Sequence, residues 1–95
     1  MNEPRRGWTV WTEETPASVL LDMPEVLSGK VVNYLVALAL EVGSAFDEGS
    51  PLPGQPLDDL GERYSLVLED EPVLFEYTLH PQTREIRIPV LVWFG

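Results

Sequence analysis

The order of elements predicts an α+β fold: a strand, two helices, then a three-stranded antiparallel meander, with the helices packed on one face of a four-stranded sheet. Three observations carry this. A short β-branched and aromatic segment, Trp8-Thr-Val-Trp-Thr12, comes first. Apolar residues then recur at three- and four-residue steps from Leu27 to Phe46. Three alternating segments follow between Glu62 and Phe94. A length of 95 residues allows a single domain, 1–95, with a small core.

The elements follow in order. Trp8 to Thr12 reads as a strand. Thr15 before Pro16 reads as an N-cap with proline at the first helical position. Ala17 to Met23 is then a short helix, stopped at Pro24. The next helix buries Leu27, Val31, Tyr34, Leu35, Leu38, Val42 and Phe46, and Gly43 or Gly49 ends it. It carries a second apolar stripe, Val32, Val36, Ala39 and Leu40. That stripe is either covered by the first helix and the following loop, or it is a contact surface, possibilities the sequence leaves open. The stretch from Asp47 to Asp58 holds three prolines and two glycines and reads as a surface loop without a ladder.

The meander comprises Glu62 to Leu68, Val73 to Leu79 and Glu85 to Phe94, joined by turns at 69–72 and 80–83. Alternation and four-residue turns set Leu68 opposite Val73, Leu66 opposite Phe75 and Tyr64 opposite Tyr77. The same rule sets Phe75 opposite Ile88 and Tyr77 opposite Ile86, with Val90 and Val92 on the same covered face. The outer face then carries rows of Ser65, Glu76 and Arg87, and of Arg63, Thr78 and Glu85. An apolar patch of Val67, Leu74, Leu91 and Trp93 lies beside them. Pro89 sits badly inside a central strand, so that strand is an edge there or carries a bulge.

Composition narrows the function. Sixteen acidic against six basic residues give a net charge of −10, which argues against a phosphate-neutralising nucleic-acid binder. The absence of cysteine removes disulfide scaffolds, zinc ribbons and thiol nucleophiles. No uninterrupted apolar run approaches the ~20 residues that span a bilayer, and Met1 to Gly7 has no apolar targeting core after it. A cytoplasmic protein without membrane attachment is the expectation. The acidic groups Asp58-Asp59-Glu62 and Glu69-Asp70-Glu71 lack calcium-loop spacing, and one histidine cannot build a zinc site, so no metal or cofactor is expected. His80 before Pro81 reads as a turn residue.

Candidate chemistry concentrates on the outer sheet face. Arg63 and Arg87 around Glu76 are the candidate catalytic set. Two guanidiniums beside a carboxylate either bind an anion or form a cross-strand ion-pair cluster. Leu74, Leu91 and Trp93 beside Arg63 and Arg87 are candidate binding residues, since tryptophan and arginine together are common in binding hot spots. Trp93 is equally explained as a side chain covered by the chain ends. Val32, Val36 and Leu40 are the helical candidates, for a partner or for self-association.

This element order resembles the RelE/ParE superfamily of bacterial toxin–antitoxin toxins over residues 8–94. Pro24-Glu-Val-Leu-Ser-Gly-Lys-Val-Val is similar to the start of that family's second helix. Pro56-Leu-Asp-Asp-Leu-Gly-Glu-Arg-Tyr-Ser is similar to its approach to an arginine-bearing strand, and Arg84-Glu-Ile-Arg-Ile-Pro-Val-Leu-Val-Trp to its closing strand. The resemblance implies one of two activities. Ribonuclease members cut mRNA on the ribosome with basic residues on the outer sheet face and a His or Tyr near the C-terminus. Here only Arg63 and Arg87 match, and Val92-Trp93-Phe94-Gly95 supplies no acid or base. Other members inhibit gyrase by protein binding. The expectation is therefore a toxin-fold protein that acts on an antitoxin or regulator by contact. The alternatives are a ribosome-dependent endoribonuclease using the sheet-face arginines, and a non-toxic α+β adaptor.

Overall fold

The computed structural model describes residues 7–68 and 70–94. The elements are β1 (Thr9–Thr12), α1 (Glu14–Asp22), α2 (Glu25–Glu48), β2 (Gln55–Pro56), β3 (Arg63–Val67), β4 (Val73–His80) and β5 (Glu85–Trp93). One mixed sheet in the order β1-β5-β4-β3-β2 carries both helices, so the fold is α+β. The targeting reading of residues 1–6, the Glu69 part of the second acidic group, and Gly95 lie outside the described residues.

The sheet has five strands, where four were expected. The extra one lies in the proline-rich loop, where Gln55 pairs with Ser65 and Pro56 with Tyr64. Proline is tolerated there because β2 is an edge, whose outward side needs no N–H partner.

Helix α1 begins at Glu14, earlier than expected, and its N-cap is Glu13 with no side-chain bond. Thr15 is therefore inside the helix. Pro16 stands in the first turn, where amides have no intrahelical acceptor, so its missing N–H costs nothing. Its ring is buried.

Helix α2 runs through Gly43 and stops at Gly49. Gly49 takes the left-handed conformation, φ 71°, which admits glycine without a Cβ clash. The Ser50 N–H then donates to the Ala45 carbonyl at 2.8 Å and closes the helix end. Gly43 has another task. Trp8 packs directly against it, and a Cβ there would overlap the Trp8 side chain. The indole also packs against Phe46, with centroids 5.4 Å apart. Arg84 lies over the same ring and bonds Asp47 at 3.0 Å, tying the β4–β5 turn to the end of α2.

By length and mean hydropathy, 1.4 over an 18-residue window, α2 is apolar enough to cross a membrane. Asn33 and Glu41 interrupt its apolar run, which is why no single run reaches that length. One side of the helix is nevertheless committed to the sheet: Val31, Leu35, Leu38, Ala39 and Val42 are buried there. Core helices of water-soluble domains meet the same length and hydropathy test.

The sheet's covered face is dry. Val73, Phe75, Tyr77, Ile86 and Ile88 are all 0% exposed. Tyr34 of α2 meets Phe75 edge-on at 5.8 Å, and Tyr64 stacks on Tyr77 at 5.2 Å. The Tyr77 hydroxyl donates to the Pro53 carbonyl at 2.6 Å, which anchors the loop before β2.

The β3–β4 register is the expected one: Tyr64 pairs with Tyr77 and Leu66 with Phe75. The β4–β5 register is not. β4 continues to His80, which pairs with Glu85, so the turn spans 81–84 and Leu79 faces Ile86. The pairing then slips between Glu76 and Thr78, because Glu76 faces Val90 while Thr78 faces Arg87. Tyr77 thus opposes two residues, Ile88 and Pro89, in a β-bulge. The parallel partner β1 reaches only as far as Ile88. Pro89 stands where the strand bulges and also loses its second neighbour, which satisfies both conditions set by its missing N–H.

The bulge exchanges the two faces of β5 beyond it. Leu91 is 6% exposed and Trp93 packs on the core, while Val92 faces out. The placement of Leu91 and Trp93 on the outer face is therefore corrected, as is that of Val90 and Val92 on the covered one.

Candidate functional site

Neither helix covers the outer face of the sheet. Its side chains come from alternate positions of β1, β3, β4 and β5, so cross-strand pairing decides which of them meet. The central row is Trp11, Arg87, Thr78 and Arg63, in that order across four strands. On one side lies the pair His80 and Glu85. On the other lie Ser65, Glu76 and Val90, then Val67, Leu74 and Val92.

These rows revise the expected clusters. Arg87 stands beside Thr78, not Glu76. The candidate set of Arg63, Glu76 and Arg87 does share one face, but not as two guanidiniums on one carboxylate. Arg63 Nη2 bonds Glu76 Oε1 at 2.6 Å. Arg87 bonds Glu85 instead, through Nε at 3.0 Å and Nη2 at 2.9 Å. The hydrogen bonds from Arg87 hold the Glu85 carboxyl below the usual carboxylate range. Each guanidinium thus has its own counter-charge.

Arg87 also lies over the Trp11 ring, 5.2 Å from its centroid. Trp11 is 54% exposed, which makes it the tryptophan of this face; Trp8 and Trp93 belong to the core side. Leu74 keeps its expected outward place, and its apolar neighbours are Val67 and Val92.

His80 is the residue that sequence reasoning missed. It ends β4 rather than lying in the turn, and its Nε2 is 2.8 Å from Thr78 Oγ1. The signal was present, since Thr78 and His80 alternate as outward residues once the strand is extended by one. An open cleft of about 1000 Å³ lies at this end of the sheet, lined among others by Phe46, Leu52, Tyr64, Leu79, His80 and Arg87. Among the described residues no group of three His, Asp or Glu side chains is placed to hold a metal ion.

No family model, curated protein or solved structure matches the chain.

Proposed function

We propose that this is a RelE/ParE-like toxin-fold protein that acts in the cytoplasm by binding another protein, an antitoxin or regulator, through the outer face of its sheet. One observation carries the reading: an uncovered sheet face joins an exposed tryptophan, stacked under Arg87, to an apolar row of Val67, Leu74 and Val92. Aromatic and arginine side chains beside apolar ones are what protein partners anchor on. A net charge of −10 favours a basic partner and speeds its approach. The element order supports the family reading. The counter-charges on Arg63 and Arg87 support contact over chemistry, since neither guanidinium is left to bind phosphate alone.

The test is induced expression in a bacterium, with and without the product of the adjacent gene. Growth arrest relieved by a small basic neighbour is the expected result, with a complex that W11A and V92E each weaken ~100-fold or more. Normal growth and no complex would defeat the reading and leave an adaptor that keeps only the fold.

A ribonuclease is the second reading. It is favoured by the arrangement of His80 beside Thr78 on the same face as Arg63 and Arg87. An imidazole can move protons near neutral pH, and guanidiniums can steady a phosphate. It requires mRNA cleavage after induction, lost in both H80A and R87A.

A further inference from the structure

Helix α2 presents an apolar stripe on the side away from the sheet. Val26, Val32, Val36 and Leu40 are 76, 43, 51 and 59% exposed. Gly29, Asn33 and Ala37 complete the stripe and are exposed as well. A Cβ on Gly29 would meet nothing within 4 Å, so another backbone has room to approach there. Between Lys30 and Glu41 the helix carries no charge. Neither α1 nor the loop after α2 covers this surface. It resembles a contact face, since apolar patches rarely face water on an isolated domain.

Charge selects the occupant. A chain at −10 is repelled by an anionic lipid surface. Lys30 is the lone cation of α2. Glu41 lies about three helical turns further on, along the same edge of the stripe. A helix with this pattern is complementary to itself when reversed. Two copies placed antiparallel about a two-fold axis near Val36 set Val32 level with Leu40 of the second copy. They also bring each Lys30 within about 1.5 Å, along the axis, of the level of the other copy's Glu41. A parallel pair would instead put the Lys30–Glu41 edges of the two copies on opposite sides of the seam, so neither reciprocal pair could form. Lys30 bonds Glu71 at 3.2 Å but is 61% exposed, so its ammonium retains donors for a second carboxylate.

We propose that the protein forms a closed antiparallel homodimer through α2, centred on Val36 and oriented by two reciprocal Lys30–Glu41 ion pairs. The two-fold arrangement uses the same patch on both copies, so it closes and does not propagate. Asn33 within the seam opposes a slipped register, the role a single polar seam residue plays in coiled coils. The contact belongs to the small end of specific interfaces, so it is concentration-dependent. It is independent of the sheet-face reading, because the stripe lies on the opposite side of the molecule.

Sedimentation equilibrium on the full chain tests it. The wild type is expected to be dimeric at ~100 µM and to dissociate towards ~1 µM. V36E places two carboxylates on the axis and should weaken the dimer ~100-fold or more; L40Q, a milder change at an exposed position, should weaken it ~10-fold. K30E and E41K should each weaken it several-fold, and the K30E/E41K double variant should recover wild-type affinity. Far-UV circular dichroism confirms that each variant is folded. A wild type that stays monomeric at ~100 µM overturns the proposal. So does a double variant no better than its singles, or a monomer that floats with phosphatidylcholine vesicles through the same stripe.

Discussion

The two faces of the sheet obey different rules. On the covered face the central side chains are fixed by their neighbours: Val73, Phe75, Tyr77, Ile86 and Ile88 have no contact with water. On the outer face the side chains are paired locally, Arg63 with Glu76 and Arg87 with Glu85, and each pair remains partly in solvent. Burial makes the first face costly to change. Exposure makes the second face cheap to change, which is where function can vary without loss of the fold.

Four substitutions probe that contrast, in falling order of effect. Phe75→Ala removes a fully buried ring from the middle of the covered face and is expected to cost about 3–5 kcal/mol in chemical denaturation. A loss under about 1 kcal/mol would mean that this face is not the core. Gly43→Val forces a side chain into the Trp8 ring. Overpacking of this kind costs about 1–3 kcal/mol, and a lowered thermal midpoint with altered tryptophan fluorescence would report it. An unchanged midpoint would show that Trp8 does not rest on α2.

Tyr77→Phe is smaller. It deletes the hydrogen bond to Pro53 and is expected to cost about 0.5–1.5 kcal/mol. It also carries a pH signature. Burial pushes the Tyr77 phenol up, and Tyr64, Glu41 and Tyr34 add to that. The folded protein therefore holds this proton more tightly than the unfolded chain. The resulting stability is complete below the ordinary phenol value of about 10 and is lost as pH rises through the higher folded value. Thermal midpoints measured at rising alkaline pH should fall more steeply for the wild type than for Tyr77→Phe.

Arg87→Ala, on the outer face, has the least effect on stability, because water and salt screen an exposed ion pair. Its readout is the Glu85 titration by NMR. Arg87 lowers this pKa, so the pair's stabilisation exists above the unfolded carboxylate value and is lost as pH falls through the folded one. The variant should move the Glu85 midpoint up towards the usual carboxylate value. A midpoint that does not move would break the assignment of Arg87 to Glu85.

Much of the covered face was legible because burial imposes period. The three- and four-residue steps of α2 and the alternation of β3 and β4 are both records of one dry side. Tyr64 opposite Tyr77 followed directly. What escaped was set by backbone geometry rather than by hydrophobicity. Pro89 announced an irregularity, but an inserted residue reverses inside and outside beyond it. Leu91, Val92 and Trp93 are all apolar, so their side-chain character could not reveal the reversal. His80 reads as a turn residue because Pro81 follows it, yet it closes β4. Gln55 and Pro56 read as loop because three prolines and two glycines crowd that stretch, and a two-residue edge leaves no period to set against them. The outer face was legible in its membership of Arg63, Arg87 and Glu76, but not in its pairing, which depends on that register.

The parallel pairing of β1 with β5 has a consequence for the order of folding. Thr9 bonds to the backbone of Arg84, and Thr12 pairs with Ile88, so the first strand is held by the last. During synthesis β1 must remain unpaired until β5 has been made. Trp8 rests on Gly43 and Phe46 of α2, but its ring is capped only when the turn bearing Arg84 reaches it. α2 can form early by local contacts, and the β3–β4 hairpin can follow, but neither completes the sheet. The domain should therefore fold late and as a unit, with the joining of its two ends as the final, slowest event.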